Sequence, residues 1–227
     1  HEQGLFREAV TVPVAQAVKL GPTADLALAA MSEPLAVCLN AVKKAGSLVG
    51  RRVLVSGCGP IGCLTVAAAA HAGASEIVVT DITAAPLALA EKVGATRTVD
   101  LTRNAAALDT YRQHKGRFDV AFECSGAGAA LHTACELVRP RGRIVVVGLG
   151  ADAPLSLGLF VTKEIELLGS FRFDTEFAVA ADLIESRKID VRPLLTGIFP
   201  IEDAISAFRV ASDKKGAMKV QIQFQNK

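Results

Sequence analysis

Long apolar runs, an excess of charge, paired cysteine spacings and internal repeats are all missing from this 227-residue sequence. No apolar stretch approaches the ~20 residues that a membrane-spanning helix needs, so no membrane association is expected. Lysine and arginine number 25 against 23 acidic residues. A balance this even offers nothing to nucleic acid or to an anionic membrane surface, and neither is expected as a partner. Five cysteines (Cys38, Cys58, Cys63, Cys124 and Cys135) show no C-x-x-C spacing. They argue against a disulfide frame or a zinc knuckle and read as reduced thiols of a cytoplasmic protein, most of them small core hydrophobes. His71, His114 and His132 lack metal-ligand spacing and are expected to be surface or satisfied helix residues. The sequence opens on His1 without a charged-then-apolar leader. No targeting segment is therefore expected, and the chain reads as part of something longer.

What is present is a large apolar fraction, 51% of residues, enough for a substantial core. Strand-like and helix-like segments alternate through the middle. Short β-rich runs stand at 52–56, 76–80, 97–100, 118–123, 143–148 and 165–170, and several are continuously apolar, as strands buried on both faces are. Helical patterns fall between them at 60–72, 83–93, 104–115, 127–137 and 156–163. The pattern predicts an α/β fold: a doubly wound, six-stranded parallel sheet with helices on both faces. The flanks differ. Residues 4–20 suggest two short strands around Pro13, and residues 32–46 a helix with Ser32 as N-cap and Gly46 as its stop. Two amphipathic helices, in "DTEFAVAADLIESRK" and "IEDAISAFRVASD", and a half-buried strand at 219–224 follow the alternating series.

The densest motif is "SGCGPIG", residues 56–62. Gly57 permits a backbone turn closed to other residues. Gly59 lets the main chain approach a pyrophosphate without a Cβ in the way, and Gly62 lets the following helix pack close to the strand. Pro60 in the first helical turn removes a donor that the helix does not use. The helix N-terminus then presents free N–H groups and a partial positive charge to phosphate. G-x-G-x-x-G alone is weak evidence, but here a strand precedes it, a helix follows, and a second strand ends at Asp81, 19 residues past Gly62. A carboxylate there accepts hydrogen bonds from both ribose hydroxyls and repels a 2′-phosphate. Residues 82–86 supply no Arg or Lys to hold such a phosphate. NAD is expected over NADP. As a plain helix N-cap, Asp81 would explain the carboxylate but not its agreement with the glycines.

"SEPLAVCLNAVKKAG", "VLVSGCGPIGCLTVAAAAHAGASEIVVTD", "FDVAFECSGAGAAL", "GRIVVVGLG" and "LLGSFRF" together resemble the zinc-dependent medium-chain dehydrogenases, polyol branch, over essentially the whole chain. The resemblance implies a Rossmann cofactor domain at 31–172, remnants of a GroES-like catalytic domain at 1–30, and an end of the cofactor domain with a return segment at 173–227. It places Gly57, Gly59, Pro60, Ile61 and Gly62 at the pyrophosphate and Asp81 at the ribose. Val147, Gly148 and Leu149 would meet the nicotinamide amide, and Phe171, Arg172 and Phe173 would lie beside nicotinamide and substrate. Glu33 matches a Glu-Pro pair whose carboxylate sits at the catalytic zinc, directly or through water. The implied activity is NAD-dependent, zinc-assisted oxidation of a secondary alcohol of a polyol or of a sugar acid such as L-idonate, with Arg172 orienting substrate oxygens. A homo-oligomer, dimer or tetramer, is expected.

Two departures stand out. The family's other zinc ligands, a Cys and a His-Glu pair, have no counterpart here; Glu2 of the "HE" pair lies only 31 residues before Glu33, too close to match. The chain alone is accordingly expected to hold no tight zinc and to be inactive. Pro86 also stands where some polyol dehydrogenases carry an arginine beside the adenosine. Structural readings compete at each site. Glu33 suits an ordinary first helical turn, Arg172 a solvated surface, and Cys124 and Ser125 the end of a strand. Three rival functions remain open: a neutral-polyol dehydrogenase of the sorbitol or xylitol type, a Rossmann module that binds NAD without catalysis, and a methyltransferase. The last normally shows G-x-G-x-G, for which Gly62 falls one place late.

Overall fold

The computed structural model describes residues 4, 6–213 and 216–224. Six strands form one parallel sheet: β1 (Arg52–Ser56), β2 (Glu76–Asp81), β3 (Arg97–Asp100), β4 (Phe118–Glu123), β5 (Val138–Val146) and β6 (Glu166–Gly169). Their spatial order is β3-β2-β1-β4-β5-β6. The order reverses between β1 and β4, and a doubly wound sheet takes its ligands in the crevice at the carboxyl ends of those strands.

The helices in chain order are α1 (Leu26–Ala29), α2 (Ser32–Ala45), α3 (Pro60–His71), α4 (Ala84–Lys92), α5 (Leu101–Asn104), α6 (Asp109–Arg112), α7 (Gly128–Leu137), α8 (Leu157–Lys163), α9 (Glu176–Glu185) and α10 (Ala204–Ser212). Alternating strand side chains feed two cores. Val53, Val55, Ile77, Val79 and Phe122 face α2, α3 and α9. Leu54, Val78, Ala121 and Ile144 face Leu108, Tyr111 and the helix α7. Helix α3 is buried without interruption from Gly62 to Ala69 because it lies between the sheet and α2. Its small alanines let both neighbours approach, and a helix apolar all round needs such a place. At the foot of α7 the buried Lys163 ammonium donates to the carbonyls of Cys135 (2.7 Å), Glu136 (2.7 Å) and Val138 (3.0 Å), a cation on a helix C-terminus. Burial pushes its pKa down.

Several expected elements need correction. Residues 6–19 contain no strand; they hold a single 3₁₀ turn, Val14–Gln16, and lie exposed, because no neighbouring strand offers them a ladder. Ser32 is not an N-cap. Asp25 caps α1, which runs through a turn at Ala30 and Met31 into α2, so Met31 takes the N-cap position, Ser32 lies inside the first turn, and its buried hydroxyl has no partner among the described residues. The helix expected over 104–115 is broken into short pieces, since Asn104 leaves the helical region (φ −147°, ψ 50°) and His114 and Lys115 turn left-handed. β5 starts at Val138, earlier than expected, with a register shift opposite Phe118–Val120, and stops at Val146. The stop at Gly46 (φ 81°), the other crossover helices to within a few residues, α9 and α10 stand as expected. The last strand, β8 (Lys219–Gln223), pairs in parallel with β7 (Leu195–Pro200), a strand the pattern did not suggest. Gln221 Nε2 donates to Ala27 O (2.7 Å) and ties this small sheet to α1. No helix among the described residues is long and apolar enough to cross a membrane.

Candidate nucleotide site

The three glycines of the β1–α3 corner are each required for a different reason. Gly57 sits at φ 90°, and a Cβ there would lie 2.8 Å from the Ser125 backbone nitrogen. Gly59, the N-cap of α3, faces open space: nothing lies within 4 Å of where its Cβ would stand. A Cβ on Gly62 would overlap the Gly57 carbonyl oxygen, which is backbone and has no room to yield. The turn at Gly57 and the close packing at Gly62 are as spacing predicts, and Gly59 leaves its side of the corner open. Pro60 occupies the first turn of α3, whose N-terminus points into the opening beside Gly59.

Asp81 closes the corner from the end of β2. Its Oδ2 accepts from Cys58 N (2.6 Å) and its Oδ1 from Thr83 N (2.8 Å). It is therefore not the N-cap of α4, which is Thr83. The carboxylate has a second task that spacing alone did not suggest: it holds the middle of the glycine turn. Each oxygen keeps acceptor capacity for a ribose hydroxyl. Beneath the corner, Cys58 Sγ and Cys63 Sγ lie 3.4 Å apart, and Cys58 Sγ donates to Pro86 O (3.2 Å). The contact with Cys63, followed by burial, pushes the Cys58 thiol up; burial pushes Cys38 up to about 12 and raises Cys124. All five thiols are free, and these three are packing atoms rather than nucleophiles.

The opposite side of the crevice is assembled from more distant pieces. After β4, the buried carboxylate of Glu123 accepts from Ser125 N (2.8 Å), Ser125 Oγ and Gly126 N (3.1 Å), while its main-chain oxygen accepts from Val147 N (2.8 Å) and Gly148 N (2.9 Å). Leu149 is exposed at the mouth. After β6, Phe171 and Arg172 are exposed, with the guanidinium 5.2 Å above the Phe171 ring, and Phe173 stacks on Phe177. Arg172 is held at φ 52°, and Asn40 Nδ2 of α2 donates to its carbonyl (2.8 Å). Glu33 lies exposed in the first turn of α2. Seven residues before Asn40, it shares that helix face at about 10 Å along the axis.

Gly57, Gly59, Pro60, Ile61, Gly62, Asp81, Val147, Gly148, Leu149, Phe171, Arg172 and Phe173 thus all gather at the carboxyl ends of β1, β2, β5 and β6. Two residues escaped sequence reasoning, Glu123 and Asn40. Glu123 carried a signal, an acid ending an otherwise apolar buried run, "FDVAFE"; Asn40 carried none. His71, His114 and His132 are exposed as expected, with His132 Nδ1 2.9 Å from Ser156 Oγ. No group of three or more His, Cys, Asp or Glu side chains capable of holding a metal occurs among the described residues. The "HE" pair, residues 1–2, lies outside them.

A parallel sheet in this order, with a glycine corner and an acidic strand end at its switch point, defines a dinucleotide-binding domain of the Rossmann class. Residues 60–186 match the profile of the zinc-binding dehydrogenases, and the chain belongs to that family. It is similar to L-idonate 5-dehydrogenase (NAD(P)(+)) of Escherichia coli K12, 40% identical over 225 residues, covering 99% of this chain and 65% of that protein. It is also similar to sorbitol dehydrogenase of Pongo abelii, 34% identical over 200 residues, covering 86% and 55%. The crystal structure of the E. coli L-idonate 5-dehydrogenase superposes with a TM-score of 0.91 at 41% identity, over 95% of this chain and 62% of that one. The chain thus spans less than two thirds of the length of these relatives.

Proposed function

We propose that this chain is the cofactor-binding part of a dehydrogenase that oxidises a secondary alcohol of a polyol or sugar acid, an L-idonate-like substrate foremost, with NAD as hydride acceptor. The observation that carries the reading is the open face at Gly59, set above the N-terminus of α3 and beside the carboxylate of Asp81. The glycine corner with Pro60 and Ile61 would hold the pyrophosphate, and Asp81 the ribose. The main chain of Val147–Leu149 would meet the carboxamide. Bound NAD would supply a hydride acceptor at its nicotinamide ring. The exposed guanidinium of Arg172, set by its stacking on Phe171 and by Asn40, would orient substrate oxygens, and a sugar-acid carboxylate suits it better than a neutral polyol.

The described residues do not by themselves form a zinc site. Glu33 would be one carboxylate of such a site, directly or through water, and the remaining ligands would come from a catalytic domain of which residues 1–30 and the end of the chain would be pieces. Residues 31–172 form the Rossmann unit and 173–227 its end and return segment. β6 stands at the end of the strand order, and its outer backbone edge is where a second copy would add a strand in a dimer or tetramer. Free thiols favour the cytoplasm.

Calorimetric titration of this chain with NAD and NADP tests the cofactor reading: NAD should bind more tightly, and equal or reversed affinities would defeat the role given to Asp81. In a longer chain that also carries the upstream ligands, Glu33→Ala should lower turnover strongly with NAD affinity nearly unchanged.

A further inference from the structure

We infer that Glu123 is a positioning residue that sets the nicotinamide-side loop against the glycine corner. The inference rests on the reading that NAD lies across both. A carboxylate at 2% exposure, at the end of the central strand β4, is costly unless it is fully satisfied. Here it is satisfied by the backbone it organises. Oε1 accepts from Ser125 N and Ser125 Oγ, and Gly126 N lies 3.1 Å from both carboxylate oxygens. The main-chain oxygen of the same residue takes Val147 N and Gly148 N. One residue therefore fixes the first turn after β4 with its side chain and the first turn after β5 with its backbone.

The loop so fixed is a spacer between the two halves of the crevice. On one side it touches the corner: a Cβ on Gly57 would lie 2.8 Å from Ser125 N and 2.8 Å from Ser125 Cβ. On the other side it touches the loop after β5. A Cβ on Gly126 (φ 71°) would lie 2.8 Å from Leu149 O, one on Gly148 would lie 2.9 Å from Glu123 Oε2, and one on Gly150 would overlap Gly126 O. Glycines stand at every one of these crossings: backbone meets backbone between Gly126 and Leu149–Gly150, and the short Ser125 side chain and the Glu123 carboxylate fill the other two, leaving little freedom to absorb a shift. A displacement of residues 125–126 is passed directly to Val147–Leu149. Within the crevice Glu123 reaches no ligand itself; it acts through the loops.

Glu123→Gln keeps the shape but replaces one carboxylate oxygen by an NH₂ group, which faces the N–H of Gly126 or the N–H of Ser125, donor against donor. Calorimetry of the whole chain with NAD and with ADP-ribose reads the consequence, because ADP-ribose occupies the glycine corner and lacks the nicotinamide. The expected result is about a ten-fold loss of NAD affinity, the size of one charge-assisted hydrogen bond, with ADP-ribose changed less than about two-fold. Equal losses for both ligands, or no loss for either, would overturn the inference. Should Glu123→Gln fail to fold, Ser125→Ala removes one donor to the same carboxylate from an exposed position. It should give a smaller loss with the same selectivity for NAD, and an unselective or absent loss would overturn the inference equally. A wild-type chain that binds ADP-ribose but gains nothing from the nicotinamide would instead remove the underlying reading, and the inference with it.

Discussion

The two sides of the crevice are built in opposite ways. The glycine corner is local: six residues, 57–62, make the turn, the opening and the helix start, and the first and last of them contact each other directly. The nicotinamide side draws on segments that are far apart in sequence, with Glu123 joining the loops after β4 and β5 and Asn40 reaching across to Arg172 from α2. A corner made locally tolerates no side chain where backbone meets backbone, whereas a side assembled from afar depends on a few polar contacts between elements. The first should fail abruptly when altered, the second by degrees.

The largest effect is expected at the corner. Gly62→Ala places a methyl group on the Gly57 carbonyl, and overpacking of this kind costs roughly 1–3 kcal/mol or more, so both thermal stability and NAD binding should fall. Gly59→Ala has open space and should leave stability within about 0.5 kcal/mol, yet it should still abolish NAD binding if phosphate approaches there. Thermal melts paired with calorimetry separate the two, and undiminished NAD affinity in Gly59→Ala would break the comparison. On the other side, Arg172→Ala in a longer, active chain should raise the substrate KM about ten- to a hundred-fold, more for a sugar acid than for a neutral polyol. Equal changes for the two substrates would favour the polyol reading.

A smaller effect is expected from Asn40→Ala, which removes the hydrogen bond that holds the Arg172 carbonyl in its left-handed conformation. The bond is neutral and worth about 1 kcal/mol, so KM should rise a few-fold with NAD affinity unchanged. A KM that does not move would show that Arg172 is set by Phe171 alone. The smallest concerns the seat of α2. Lys43 Nζ, 2.8 Å from Glu176 Oε1, joins α2 to α9, and this contact, aided by the Asp174 N–H, holds the Glu176 carboxyl at about 2. Its folded pKa lies below its unfolded value of 4.5. The stability it contributes is therefore present above that value and lost as pH falls toward 2. Glu176→Gln should flatten the acid limb of a pH–stability curve and shift Tm at neutral pH by about 2 °C or less, since the lysine is largely exposed.

The contrast also explains what could be read in advance. The strands of the large sheet other than the start of β5, the order of crossover helices and the steric needs of Gly57 and Gly62 were legible because each depends on periodicity or on the steric needs of one short segment. Strands expected around Pro13 and a cap expected at Ser32 failed because both depend on what lies next to the segment in space. No ladder partner meets residues 6–19, and a preceding helical turn meets Ser32. Asp81 was half legible. Its place at the end of β2 pointed to ribose, while its bond to Cys58 N needed two strand ends brought side by side.

By itself, the sequence determined the doubly wound α/β class, the glycine corner and the acidic strand end beside it, since backbone sterics and apolar periodicity act over a few residues and need no partner. Only the tertiary structure decided that Glu123 is buried and answers three loop N–H and O–H groups with its carboxylate and two more N–H groups with its carbonyl, that Asn40 holds a left-handed Arg172, and that Glu33 shares the Asn40 face of α2. The carboxylate takes its donors from the turn just after it, but the main-chain oxygen of the same residue takes Val147 N and Gly148 N, as much as 25 positions away and brought near by the burial of two cores on one sheet.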